Sequence, residues 1–108
     1  NGTLFGGNLL EGVMSVATVY MTEFSDEAAL KEVSEYYQKY GKTAYPEAEA
    51  LIFVQVSSTS GMGIAMWPSE EIREQEGLAL RAAFTDRFGT SIKEHVPKWG
   101  EVIIKQMK

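Results

Sequence analysis

The chain contains no cysteine. This excludes a disulfide framework, an iron–sulfur cluster, a thiol nucleophile and a cysteine-built zinc site. It has a single histidine, His95, too few for a histidine-rich metal centre within one chain. Positive charge is in deficit: 10 Lys and Arg stand against 15 Asp and Glu, for a formal net charge of -5. An acidic chain lacks the basic stripe that a phosphate backbone needs, which argues against nucleic acid as a partner. No uninterrupted apolar run is long enough to span a bilayer, so no membrane partner is expected. No basic segment precedes an apolar block at the start, so no signal peptide is expected and the expected compartment is the cytoplasm. What remains is globular in composition, 44% hydrophobic and 23% charged over 108 residues. That is one domain's worth of chain.

Residues 1–12 mix glycine with Leu4, Phe5, Leu9 and Leu10 and read as an irregular arm. The domain proper is expected over 13–108. Val13 to Thr22 is β-branched, small and uncharged, which predicts a strand. Ser25-Asp26-Glu27 opens a helix, with Ser25 as the expected cap and the acids at the positive end of the dipole. Its apolar stripe is Leu30, Val33, Tyr37 and Tyr40, and Gly41 is the expected stop. Ala50 to Val56 and Met62 to Trp67 predict a hairpin around Ser57-Ser58-Thr59-Ser60-Gly61. Pro68-Ser69-Glu70-Glu71 opens a second helix that runs to Phe88 and stops at Gly89, with Leu80, Ala83, Phe84 and Phe88 as its core stripe. A short turn before Pro97 and a fourth strand from Trp99 to Met107 complete the order. Strand–helix–strand–strand–helix–strand is the split βαβ, ferredoxin-like pattern.

Charge is missing where the strands lie. No charged residue falls between Glu11 and Glu23, or between Glu49 and Glu70. A sheet with one wet face alternates apolar and polar. Here Leu51 and Phe53 point one way, and Ile52, Val54 and Val56 the other. Val16 and Tyr20 oppose Ala17, Val19 and Met21. Two helices cover only one face of such a sheet, and a second copy of the chain is the expected cover for the other.

The element order, the first strand Ser15-Val16-Ala17-Thr18-Val19-Tyr20 and the junction Met66-Trp67-Pro68-Ser69-Glu70-Glu71 resemble the dimeric α+β barrel superfamily. Its best-known branch is the antibiotic-biosynthesis-monooxygenase-like proteins. The resemblance implies an α+β fold, ferredoxin-like βαββαβ, with a four-stranded antiparallel sheet and two helices on one face. It implies a homodimer whose open sheet faces pack together. It also implies a choice of chemistries, among them cofactor-free oxygenation, isomerisation and haem degradation. The haem-degrading branch uses an asparagine of the first-strand region, a tryptophan at the third strand and a histidine on the second helix. Trp67 fits, but Asn8 precedes the strand and His95 lies beyond the helix, so no haem is expected. No metal and no other cofactor is expected either.

Within that frame Tyr20, Phe53, Met66, Trp67, Leu80, Phe84 and Phe88 are the candidate lining of a pocket between sheet and second helix. Aromatic and methionine side chains equally fill ordinary cores. Gly77 on the same helix face leaves room, so an apolar ligand is expected to perturb Trp67 more than Trp99. His95 is the candidate acid–base residue because its ordinary pKa lies near neutrality. No serine or aspartate stands in a recognisable triad motif with it. The expected function is binding of an apolar or aromatic small molecule, with cofactor-independent monooxygenase or isomerase chemistry on it. The alternatives are a non-catalytic carrier of a fatty-acyl or similar chain, and a structural dimer without ligand.

Overall fold

The computed structural model describes residues 15–106; the arm expected over 1–12 lies outside the described residues. Strand β1 spans Val16–Phe24, helix α1 Glu27–Ala44, β2 Ala50–Gln55, β3 Ser60–Trp67, helix α2 Glu70–Phe88 and β4 Ile92–Glu101, with a single 3-10 turn at Gly89–Ser91. The four strands are antiparallel in the order β2-β3-β1-β4, and the topology is the expected ferredoxin-like one. No described helix is long and apolar enough to cross a membrane.

Local chemistry sets the helix ends. Asp26, not Ser25, caps α1: its Oδ1 accepts from the Ala29 N–H at 2.7 Å. Ser69 caps α2 and accepts from the Ile72 N–H at 3.2 Å. Gly41 does not end α1, which continues to Ala44. It is buried, and a Cβ there would stand 3.2 Å from Leu51 Cδ2, so glycine brings the helix close to β2. On the surface of α2, Arg73 Nη2 lies 2.8 Å from Glu70 Oε2, three residues earlier.

The fourth strand departs most from expectation. It begins at Ile92 and runs through Pro97 to Glu101, so of the strand expected from Trp99 to Met107 only Trp99–Glu101 is strand, and the described residues 102–106 are not. The physical reason is the sheet order. β4 is an edge, and proline is tolerated there because the missing N–H breaks no ladder. His95 therefore belongs to a strand rather than to a connector. Beyond the strand, Lys105 Nζ donates to Ser15 Oγ at 3.2 Å and lies 3.3 Å from Glu49 Oε1, while the Ser15 hydroxyl donates to Glu49 at 2.8 Å. This clamp ties the chain after β4 to the starts of β1 and β2.

Both helices cover one face of the sheet. Register places Val16, Tyr20, Thr22 and Phe24 there, with Ala65, Trp67, Gly61 and Gly63 opposite them on β3. The buried core falls in two clusters. One gathers Phe24, Ala29, Leu30, Val33 and Phe88, with Tyr36, Tyr37, Phe84 and Ile92 against it. The other gathers Val16, Ala65 and Trp67, with Tyr45, Leu51, Ile72 and Leu80 against it. The opposite face carries Val19, Met21, Ile52, Val54, Met62, Ile64 and Val96, each 41–54% exposed. These seven side chains are left open among the described residues, while Met66 on the same face is buried, at 8% exposed.

Candidate functional site

The site grows from two rows across the sheet between the core clusters. In one, Phe53, Gly63, Tyr20 and Pro97 lie side by side on β2, β3, β1 and β4. In the next, Gln55, Gly61, Thr22 and His95 follow. The glycines are there because aromatic rings lie over them. A Cβ on Gly63 would overlap the end of the Tyr20 ring, and one on Gly61 would overlap the Phe53 ring. The two rings then stack on each other at 6.2 Å between centroids and 21° between planes.

His95 closes the aromatic row. Its ring lies 5.3 Å from Tyr20 and 5.8 Å from Phe84 of α2. Its Nδ1 is 2.8 Å from the hydroxyl of Thr22, a buried side chain. Whichever of the two gives the proton, Nε2 has no protein partner among the described residues. Loss of hydration, and secondarily the positive charge of Arg81, hold the imidazole below its ordinary pKa of 6.5. Burial, with a smaller contribution from Tyr37, pushes the Tyr20 hydroxyl up to about 12. The Tyr45 hydroxyl is raised by burial, then by Tyr20 and Glu76. At neutral pH the site therefore offers an uncharged imidazole beside a protonated phenol.

That imidazole predicts a pH dependence. The unfolded chain takes up a proton near pH 6.5 and the folded chain only at lower pH. Stability tied to His95 is thus fully present above pH 6.5 and is lost as pH falls through the folded midpoint. The lone histidine gives one Cε1–Hε1 cross-peak, which is expected to titrate below 6.5 in the native protein. A midpoint at or above that value overturns the assignment.

The seven residues expected to line one pocket do not converge. Tyr20, Phe53 and Phe84 border the His95 site. Phe88 is sealed in the first core cluster, and Leu80 packs on the second. Met66 pairs with Ala17 and Ala50 on the other face of the sheet, away from the helices, because it sits one residue before Trp67 on the strand. Trp67 is only 2% exposed. Its Nε1–H donates to Glu76 Oε1 at 2.8 Å, and its ring stacks on Tyr45 at 6.2 Å. Trp99 borders the site instead, opposite Thr18 on the helix face and beneath Arg73, whose Cζ is 4.7 Å from the ring centroid. Thr22, Arg81 and Trp99 were not singled out from the sequence as site residues. The only available signal was the two-residue alternation that puts Thr22 on the face of Tyr20.

On α2 a Cβ added at Gly77 would meet nothing nearer than Arg73 Nη1 at 3.9 Å, so the helix leaves open space at that position. Two concavities are formed by other parts of the fold. One of about 400 Å³ is lined by Glu32, Tyr36, Lys39, Tyr40, Arg87 and Phe88, and one of about 460 Å³ by Ser25, Asp26, Ala28, Ala29, Glu32 and Ser91. In the first, Arg87 already stacks on Tyr36 at 4.4 Å and Lys39 on Tyr40 at 5.2 Å. Neither contains His95. Among the described residues no cluster of acidic and histidine side chains has the make-up of a metal site.

No protein-family model matches the chain, and no curated protein matches it. Solved structures do. A protein of unknown function from Nitrosomonas europaea superposes with a TM-score of 0.74 at 16% identity, covering 90% of this chain and 97% of the other. A dimeric ferredoxin-like protein from an uncultured marine organism gives 0.68 at 8% identity, covering 94% and 99%. A protein from Caulobacter crescentus, provisionally named an antibiotic biosynthesis monooxygenase, gives 0.63 at 11% identity, covering 90% and 95%. The fold is thus shared with the dimeric ferredoxin-like and monooxygenase-like proteins that the sequence resembles.

Proposed function

We propose that this protein is a homodimer whose subunits pair through the open sheet face, and that each subunit binds an apolar or aromatic small molecule in a slot between α2 and the sheet. The uncovered apolar face carries the first part. A patch of seven large side chains, free of charge at its centre, exceeds what a monomer ordinarily leaves in water. Ile103 and Ile104, 75% and 74% exposed, add apolar surface beyond β4. A fold neighbour described as dimeric supports the same assembly.

The second part rests on the unpartnered Nε2 of His95, whose ring packs against those of Tyr20 and Phe84, and on the open space at Gly77 of α2. An aromatic guest there is flanked by Tyr20, Phe84 and Trp99. The free ring nitrogen favours chemistry over passive storage. An uncharged imidazole takes a proton from an acidified C–H and returns it at another carbon of the same guest. Such an isomerisation balances without a co-reactant.

Native mass spectrometry of the purified protein tests both parts. The expected result is a dimer carrying an aromatic or apolar guest. Gly77→Leu, which fills the gap, is expected to lose the guest while keeping the dimer. A monomer overturns the assembly, and a guest retained at full occupancy in Gly77→Leu overturns the site.

A further inference from the structure

Charge distribution around the slot narrows the guest. Arg73, Gly77 and Arg81 are spaced by four residues, which places them in one column on α2. Stacking of Arg73 on Trp99 fixes that column above β4. One turn past Arg81, Phe84 reaches the His95 ring. Arg81 therefore sits over the His95 end of the slot. Arg73 is already held by both carboxylate oxygens of Glu70, at 2.9 and 2.8 Å. Arg81 has no carboxylate partner among the described residues.

The acids nearby are turned away or occupied. Glu94 and Lys98 of β4 pair with Glu23 and Val19, so they stand on the other face of the sheet. Glu76 accepts from the Trp67 indole and, at 3.0 Å, from the Glu47 N–H. Glu101 stands opposite Val16 at the far end of the strand. Although the chain is acidic as a whole, the proposed slot is flanked by an unpaired guanidinium and by the rings of Phe84, His95 and Trp99.

We propose that the guest is an apolar or aromatic acid, and that Arg81 is the specificity-determining residue that receives its carboxylate; this rests on the slot being the binding site. A guanidinium takes a carboxylate through two parallel N–H···O bonds, which fixes orientation as well as charge. With the carboxylate at Arg81 and the ring between Tyr20, Phe84 and Trp99, the body of the guest lies across Nε2 of His95. Burial chiefly, and the Arg81 charge secondarily, hold His95 below its ordinary pKa, which places that guanidinium near the ring.

The test uses 1-naphthoate and its uncharged isostere 1-naphthamide, followed by the single histidine Cε1–Hε1 cross-peak of the intact protein. The naphthoate is expected to bind about tenfold tighter than the amide. Arg81 is exposed, so Arg81→Gln is expected to fold normally. That variant should lose the preference while binding the amide as before, and Arg81→Lys should keep part of it. Equal affinity for both probes in the native protein, or an undiminished preference in Arg81→Gln, overturns the acid as guest and leaves the slot standing. If neither probe moves the cross-peak at millimolar concentration, the slot is not the binding site and both proposals fall.

Discussion

Val54→Asp is expected to stay folded and to sediment as a single 12.0 kDa species, where the proposed native dimer is expected at twice that mass. Val54 lies on the outer strand β2, and register places it beside Met62 on the open face. In the isolated subunit it is 54% exposed. Aspartate there remains hydrated and costs the fold less than about 1 kcal/mol in strand preference. In the dimer the two-fold operation brings both copies into the interface. A buried charge without a partner costs roughly 3–5 kcal/mol, so each copy weakens association by two orders of magnitude or more. Leu78→Asp is the control. Leu78 is 63% exposed on α2, which covers the opposite face, and its change should leave the assembly intact. A Val54→Asp dimer overturns the proposed interface. Loss of circular dichroism would instead place Val54 in the subunit's own core.

The second large effect is expected at Gly63. Gly63→Val puts a branched side chain into the space held by the Tyr20 ring. Either the strand shifts or the ring leaves its stack with Phe53 and His95. Overpacking of this kind costs about 1–3 kcal/mol. For a domain of this size each kcal/mol lowers the melting temperature by roughly 4–8 °C. The His95 cross-peak should move at the same time, since Tyr20 packs on it. The double variant Gly63→Val with Tyr20→Ala should be more stable than the two single effects predict, because the second change removes the clash made by the first. Additive losses, or a Gly63→Val protein with native stability and an unmoved cross-peak, would show that the glycine does not hold the ring in place.

These two positions mark where sequence pattern stops being informative. The period-two alternation in Leu51–Val56 and Val16–Met21 is a property of the extended chain itself, because successive side chains leave a strand on opposite sides. Together with the charge-free stretches it was enough to predict two dry faces and an uncovered sheet. The opening of α2 at Pro68-Ser69-Glu70-Glu71 and the element order are equally legible, and the structure has them as expected. The site depends on contacts between residues far apart in the chain. Thr22 and His95 lie 73 residues apart, and only the antiparallel pairing of β1 with β4 brings their polar atoms together. Pro97 punctuates the sequence like a loop; only its place on an edge strand shows that the strand continues through it. Trp67 and Trp99 are the same residue type, yet the first is buried with its indole bonded to Glu76 of α2 and the second is half-exposed beneath Arg73. Periodicity decided which residues share a face, because that is fixed within each strand. Register and helix placement decided which of them meet, because those are set by packing that no local stretch contains.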